Sequence, residues 1–237
     1  LMRNPRDEKA LILSATTTKA KEFVSQLKGV IYGMNECRWL LEGPCEGGRP
    51  RRDTAEEFDV SNASVAQSKR VAARGLFGQI TGGRATLIIP DDIEIPDNSK
   101  TVEARQRILL KIRSDFIPIA TTEHGRGDII FLGTPQTEES VYNVVVVEMG
   151  YRCMTIPVRF PYGVKLGNYT LRREDGREVD ILATYLRDAF ERGLIIAGEP
   201  TDGRFGRQEI MELEAKGRAV FALQYMLDTS LSDAERY

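Results

Sequence analysis

The sequence predicts an α/β protein with a mostly parallel sheet. Short aliphatic runs, each long enough for one buried strand, occur at residues 10–14, 87–89 and 129–132. Segments with an apolar helical face lie between them, which is the alternation expected of crossover units. Buried parallel strands are apolar on both faces, so they appear as continuous runs. A chain of 237 residues can hold one large α/β domain or a core with a smaller appendage.

The first strand, at residues 10–14, is followed by a predicted helix. Thr16 to Thr18 can cap it, apolar residues from Ala20 to Ile31 recur at helical spacing, and Gly33 is expected to end it in the left-handed conformation. Periodicity fails over residues 35–68, where several Gly and Pro turn signals occur. We therefore expect an exposed, β-rich excursion with one strand at residues 57–60.

Residues 71–77 are expected to return the chain to the sheet, and a helix with an apolar stripe should follow the strand at residue 87. Beyond the strand at residues 128–132 we predict a short helix from Glu138 and strand material at residues 143–147 and 151–156. A hairpin and three helices should complete the chain. The predicted division is a core at residues 1–156 and a small, mostly helical lid subdomain at residues 157–237.

Composition is that of an ordinary globular protein, with 41% hydrophobic and 29% charged residues. The net charge of −2 means that any nucleic-acid contact must come from a local patch, and the alternative is a solvated loop. The residues of the candidate patch are Arg49, Arg51, Arg52, Lys69, Arg70 and Arg74.

Cysteine usage and hydropathy exclude several classes. Cys37, Cys45 and Cys153 show no paired spacing, which favours a reducing, cytosolic setting without disulfides. Together with the single histidine, His124, they do not form a convincing zinc site. No apolar run of membrane-spanning length and no signal peptide is visible. Both ends read like the interior of a longer chain, so we expect a fragment.

Carboxylates follow the strand at residues 87–89. Ligands of open α/β sheets bind at the carboxyl ends of the strands, where Asp91, Asp92 and Glu94 are expected to lie. In a functional interpretation, Asp91 orients Mg²⁺ near the β and γ phosphates of a nucleotide, and Asp92 or Glu94 polarises the attacking water. The structural alternative is a helix cap or a loop acid.

Polar groups also follow the next strand. Gly133, Thr134 and Gln136 supply a hydroxyl and an amide that can contact the water or the terminal phosphate, although a simple strand exit is the alternative. Arg84 is the nearby cation that can neutralise charge on a transferred phosphoryl group, in cis or from another subunit, or else a surface arginine. No GxxxxGK[ST] phosphate loop occurs in the 237 residues.

The central motifs resemble a known family. The run that begins at Gly75, continues as GQITGGRA at residues 78–85 and leads into LIIPDDIEIPDNS at residues 87–99 resembles the large terminase subunits of tailed bacteriophages. The resemblance is strongest to the DNA maturase B type of short-tailed podoviruses. IIFLGTPQTE at residues 129–138 resembles that family's coupling motif, and LILSA at residues 11–15 resembles the strand after its Walker A helix. The lid-like segments lie at residues 197–202, 221–227 and 231–235.

This resemblance implies a P-loop NTPase fold of the ASCE type and an ATP-driven motor, with ATP and Mg²⁺ as cofactors, that packages double-stranded DNA into a procapsid. It implies that Asp91 is the Walker B aspartate and metal ligand, that Asp92 is the catalytic carboxylate and that Glu94 is its rival. It also implies that Gly133 and Thr134 contact the nucleotide and that Thr134 and Gln136 are the coupling residues. Arg84 is then the candidate arginine finger.

The implied partners are DNA, the portal protein, the small terminase subunit and further copies of the chain in a ring, which is pentameric in the family. The implied location is the host cytoplasm, transiently on the procapsid portal, without a membrane. The Walker A segment and the RNase H-like nuclease domain of the family do not occur here, so we expect this chain alone to be inactive. Two alternatives stay open: a non-hydrolysing remnant that docks to portal or DNA, and a helicase-like translocase.

Overall fold

The computed structural model describes residues 8–64, 70–80, 83–122 and 125–231. The chain splits into two compact units, Leu1–Gly133 and Thr134–Tyr237. The boundary predicted at residue 156 lies inside the second unit, and the assignment of residues 157–237 as a lid stays a prediction. Several residues singled out above lie outside the described part, namely Lys69, Thr81, Gly82, His124 and residues 232–235.

The first unit combines a five-stranded sheet with helices. Its strands are β1 (Ala10–Ser14), β2 (Glu57–Phe58), β3 (Val71–Gly75), β4 (Leu87–Asp91), the small pair β5 (Thr121–Thr122) and β6 (Gly125–Arg126), and β7 (Asp128–Ile129). Its helices are α1 (Thr17–Gly33), α2 (Asn35–Arg38), α3 (Pro96–Ser99), α4 (Val102–Lys111) and α5 (Ile117–Ile119), with a π-helical turn at Ile112–Phe116 between the last two.

The sheet order is β2-β3-β1-β4-β7. β1 pairs in parallel with both β3 and β4, and β4 pairs in parallel with β7. Only β2 is antiparallel, at the edge beside β3. The predicted α/β class with a mostly parallel sheet is therefore confirmed. Leu13 and Ile88 are fully buried, as expected for strands covered on both faces.

Helix α1 forms where the apolar spacing predicted it. Thr16 is extended, and its hydroxyl accepts a hydrogen bond from the Lys19 amide at 3.3 Å, which caps the first turn. Ala20 and Val24 pack into a core that includes strands β1 and β3. The prediction of a left-handed stop at Gly33 is wrong, because the helix ends at this residue without positive φ and the next residue is extended.

The excursion after α1 is only partly exposed, and it is not rich in strands. It contains short helical turns, and Leu40, Leu41 and Cys45 are buried in the same core as β1 and β3. The Ser61 hydroxyl accepts from the Gly43 amide at 2.8 Å and donates to the Gly43 carbonyl at 3.0 Å. The excursion therefore packs onto the sheet, which the loss of periodicity in the sequence did not indicate.

The second unit combines α-helices with a two-stranded hairpin. Its elements are α6 (Val141–Val147), β8 (Thr170–Arg172), β9 (Glu178–Asp180), α7 (Thr184–Glu191), α8 (Arg207–Ala215) and α9 (Arg218–Gln224). β8 and β9 form the predicted hairpin. The predicted strand at residues 143–147 is wrong, since these valines are helical, and no named strand forms at residues 151–156, where Thr155 makes only an isolated bridge to Leu182.

Two cores stabilise the second unit. Val146 packs with Phe160, Tyr169 and Leu186 in one cluster, where the rings of Phe160 and Phe190 stack with centroids 4.5 Å apart. A second cluster, lined by α8 and α9, is formed by Val158, Ile210, Phe221 and Met226. Within the described residues of both units, no helix is long and apolar enough to traverse a lipid bilayer.

Candidate active site

Four neighbouring parallel segments end side by side at one edge of the sheet. Ser14 aligns with Gly75 on one side and with Asp91 on the other. Asp91 in turn bridges to Leu132, beyond the end of β7. The order across this carboxyl edge is therefore Gly75, Ser14, Asp91, Leu132. This is the edge at which ligands of open α/β sheets bind.

The start of α1 approaches this edge closely at Gly75. A Cβ atom on Gly75 would lie 2.8 Å from the Thr17 hydroxyl oxygen and 2.9 Å from the Thr17 amide nitrogen. Such distances are too short for any side chain, so only glycine lets the first turn of the helix sit against the end of β3. The packing of α1 on the strand ends therefore depends on the first residue of the central motif.

Asp91 carries the carboxylate at the centre of the edge. Its side chain is half-buried, and burial, followed by the charge of Asp92, raises the pKa of this carboxyl above its usual value. Neither aspartate side chain makes a hydrogen bond or an ion pair with the part of the chain that the structure describes. A half-buried carboxylate beside a second one, with no cation to balance it, has the character of a cation ligand.

Asp92 has a constrained backbone. Its φ of 44° lies in the left-handed region, which is uncommon for residues other than glycine. The Asp92 amide donates to the Leu132 carbonyl at 2.9 Å, which anchors this conformation to the neighbouring segment. The side chain is exposed. Unusual backbone conformations of this kind cluster at functional sites.

Glu94, the rival candidate for the catalytic carboxylate, differs from Asp92 in exposure. Glu94 is only 1% exposed, and it follows the fully buried Ile93. A general base must reach the water from which it takes a proton. The exposure of the two side chains therefore favours Asp92 over Glu94.

Arg84 lies before the start of β4, at the opposite end of this strand from Asp91. Asp91 is the last residue of that strand. Five residues of extended strand separate the two ends by about 13 Å. Arg84 is exposed, and its side chain makes no hydrogen bond or ion pair with other described residues. This placement disfavours a contact in cis with a phosphate held at Asp91, and the role from a neighbouring subunit stays a prediction.

The predicted coupling residues follow the sheet. Gly133 is the last residue of the first unit, and Thr134 and Gln136 lie at the start of the second unit. Gln136 is buried, and its amide nitrogen donates to the Thr134 carbonyl at 2.9 Å. This bond fixes the turn in which both residues lie. Their coupling role stays a prediction.

Ser14 was not among the residues predicted for the nucleotide site. It is 3% exposed and lies at the carboxyl edge between Gly75 and Asp91. The available signal was the same one that indicated Asp91, namely a polar residue at the end of an aliphatic run. A hydroxyl beside the carboxylate is a further polar group at this edge.

Magnesium is the metal that such an edge suits. No cluster of three or more His, Cys, Asp or Glu side chains is arranged to hold a metal among the described residues. Mg²⁺ needs no such cluster, because it commonly binds through one or two carboxylates together with substrate phosphates and water. Asp91 and Asp92 fit this pattern. Cys37, Cys45 and Cys153 form no disulfide within the described structure, and Cys37 and Cys45 are buried.

The candidate basic patch is largely engaged within the first unit. Arg52 Nε donates to the buried Asp59 carboxylate at 2.6 Å, and Arg51 donates to the Asp59 carbonyl at 3.1 Å. Arg74 pairs with Glu57 at 2.9 Å. These arginines stabilise the excursion and the edge of the sheet, a role that differs both from a phosphate-binding patch and from the solvated loop that was the alternative. Arg70 is 1% exposed and Arg49 is half-buried.

Comparison with known proteins identifies a relative over the whole chain. No protein-family model matches the sequence. The chain is 35% identical over 246 residues to the large terminase subunit of Enterobacteria phage T3, an alignment that covers 100% of this chain and 38% of that protein. The chain thus spans well under half the length of this relative. Its similarity to a phage large terminase subunit over its full length confirms the resemblance that the central motifs indicated.

Proposed function

We propose that this chain provides the carboxylate half of an ATP-hydrolysing site in a phage DNA-packaging motor, built on a P-loop NTPase sheet. The observation that carries the proposal is the aspartate pair at the end of β4. Asp91 is half-buried beside Asp92 with no cation against it in the described structure, at the edge where such sheets bind ligands. The similarity to a large terminase subunit supplies the biological context.

In this proposal Asp91 is the metal ligand and the exposed Asp92 is the general base. Asp91 holds Mg²⁺, whose chemistry when bound is to neutralise charge on the β and γ phosphates. Asp92 accepts the proton of the attacking water, which its exposure allows. Thr134 and Gln136 contact the terminal phosphate or the water and thereby sense whether that phosphate is present. Gly133 lets the backbone approach the nucleotide.

The remaining parts of the motor lie outside these residues. A phosphate loop does not occur in the sequence, so another segment of the complete protein would have to supply it. Double-stranded DNA, the portal protein, the small terminase subunit and a ring of identical subunits are the proposed partners. The host cytoplasm, with transient docking on the procapsid portal, is the proposed location.

The test is the ATPase activity of the complete protein. We expect Asp92→Asn to reduce turnover by far more than about tenfold, equivalent to 1.4 kcal/mol in the barrier, while nucleotide binding persists. Glu94→Gln tests the rival base, and Asp97→Asn, which changes an exposed carboxylate in α3, is the matched control and should leave turnover unchanged.

Four outcomes would contradict parts of the proposal. Turnover of Asp92→Asn within about tenfold of the wild type would exclude Asp92 as the base. Loss of turnover in Glu94→Gln alone, with a wild-type circular dichroism spectrum, would assign the role to Glu94. A complete wild-type protein that binds DNA or portal but never hydrolyses ATP would favour the non-hydrolysing docking module, and strand separation of duplex DNA would favour the helicase-like translocase.

A further inference from the structure

The second unit contains a cavity of about 290 Å³ that is formed by residues of that unit alone. Its walls come from the segment around Arg159, from the helical turn Gly163–Tyr169 and from helices α8 and α9. A volume near the lower end of the range for small-molecule sites, which is about 300–1,000 Å³, suits one small ligand. None of the residues assigned above to ATP hydrolysis lines it.

The carboxylates of the cavity are already engaged. Arg159 pairs with Glu214 at 2.8 Å, and this hydrogen bond lowers the pKa of the Glu214 carboxyl, which is therefore ionised at neutral pH. Asp228 accepts hydrogen bonds from the Asn168 side-chain amide at 2.8 Å and from Ser230. Hydrogen bonds occupy both carboxylates, but only Glu214 has a cationic partner, because the donors to Asp228 are neutral.

Two basic side chains of the lining are not engaged in this way. Lys165 and Arg218 are exposed, and their side chains make no hydrogen bond or close ion pair with the rest of the described chain. They act on Glu214 only through their charge. Arg159 balances Glu214, and the buried Asp228 offsets one of the two remaining cations. Three basic against two acidic side chains leave the lining with a formal net charge of +1, which favours an anionic ligand.

The remaining wall is aromatic. Arg159 is 11% exposed, and its guanidinium carbon lies 5.0 Å from the centroid of the Phe221 ring and 5.5 Å from that of Tyr162. Tyr162 is 49% exposed, so its ring remains available to a ligand. The Nε atom of Arg159 is buried and has no hydrogen-bond partner within the described structure. A flat heteroaromatic ring with an acceptor atom suits such a wall, because it can stack on tyrosine and accept from arginine.

We propose that this cavity binds a single nucleotide, with its phosphate at Lys165 and Arg218 and its base against Tyr162. Each part follows from one observation: unengaged cations for the phosphate, a half-exposed ring for the base, and a volume too small for a longer ligand. The same chemistry is presented by a free nucleotide and by one nucleotide of a DNA strand. The inference does not rest on the proposed ATPase site, whose aspartates belong to the first unit.

The experiment is a binding titration of the 237-residue chain with deoxyadenosine monophosphate and, separately, with a single-stranded oligodeoxynucleotide. We expect saturable binding of at least one probe, and a loss of about tenfold in affinity for Lys165→Glu and for Arg218→Glu, from one charge-assisted contact each. Tyr162→Ala should lose about fivefold or more through stacking. Arg192→Glu makes the same charge change at an exposed residue outside the cavity and should bind like the wild type.

The outcomes separate the sources of the ligand. Binding of the monophosphate that depends on Lys165 assigns a free nucleotide, and binding of the oligonucleotide alone with the same dependence assigns a DNA strand. Lys165, Arg218 and Tyr162 have no role in the ATPase proposal, so a loss of binding in their variants but not in Arg192→Glu keeps this test independent of that proposal. The inference is overturned if neither probe binds, if the cavity variants bind like Arg192→Glu while remaining folded by circular dichroism, or if inorganic phosphate binds as tightly as the nucleotide.

Discussion

The positive φ of Asp92 predicts an inverted order of stability between two simple substitutions. At ordinary positions alanine stabilises a protein relative to glycine, because glycine increases the entropy of the unfolded chain. With φ at 44° the Cβ atom of any L-residue is strained, and glycine is not. We therefore expect Asp92→Gly to be more stable than Asp92→Ala, although both remove the same carboxylate.

The magnitude follows from two opposing terms. The left-handed conformation costs a residue with a Cβ atom about 1–2 kcal/mol. The entropy of glycine in the unfolded chain offsets about 0.4–1 kcal/mol of this. A difference of about 1 kcal/mol in favour of Asp92→Gly remains. No side-chain hydrogen bond complicates the comparison, because the Asp92 carboxylate makes none with the described residues.

The assay is urea-induced unfolding followed by circular dichroism, with the free energy of unfolding obtained by linear extrapolation. The control pair is Ser25→Gly and Ser25→Ala, at an exposed position inside α1, where alanine should be more stable by about 1 kcal/mol. If Asp92→Ala equals or exceeds Asp92→Gly in stability, the strain argument fails. If Asp92→Gly is more stable than Asp92→Ala and both variants lose turnover in the complete protein, the left-handed conformation of Asp92 is retained for function at a cost in stability.

Two further predictions concern the scaffold. Burial opposes ionisation of Asp59, but its hydrogen bonds with Arg52 prevail and lower the pKa of the carboxyl. Asp59→Asn should therefore lose about 2 kcal/mol of unfolding free energy at neutral pH. The charge contributes stability above about pH 3.9 that is lost as pH falls through the lowered pKa, so the deficit should shrink in acid and an unchanged deficit would refute the ion-pair account. Gly75→Ala should lose about 2 kcal/mol through its clash with Thr17. Its control Gly29→Ala, with open space around the new methyl group, should gain about 0.5–1 kcal/mol, and equal effects of the two changes in thermal unfolding would contradict the close approach.

The strands that form the candidate site were predictable because their signals are local. The aliphatic runs that became β1 and β4 are buried on both faces, and a run that ends in a polar residue places that residue at the carboxyl edge of a parallel sheet. Because β4 and β7 pair as adjacent parallel strands, Asp91 lies next to Leu132. Sequence alone also identified α1, whose cap and apolar face lie within one segment.

Features that depend on distant partners were not predictable. The valines of α6 have the composition of a strand, but Ser140 caps a helix there, accepting from the Tyr142 amide at 3.2 Å, and Val146 packs with Phe160. Tertiary packing thus overrides the local β preference. The arginines near residue 50 likewise looked free for phosphates, and only the fold shows that Asp59 holds Arg52.

The opposite placements of Arg84 and Asp91 bear on how the motor would assemble. While β4 remains a strand, the two residues lie at its two ends, about 13 Å apart or more along the strand. This separation disfavours a contact of both residues of one chain with the same γ phosphate, and we propose that Arg84 acts from a neighbouring copy of the chain. Arg84→Ala should accordingly lower ATP turnover of assembled complete protein by about tenfold or more and leave that of monomers unchanged, since only assembly delivers the residue in trans. Turnover measured across the dissociation range tests this, with Arg192→Ala as the control for loss of an exposed arginine. Equal losses in rings and monomers would place Arg84 in cis and require β4 to be rearranged when nucleotide binds.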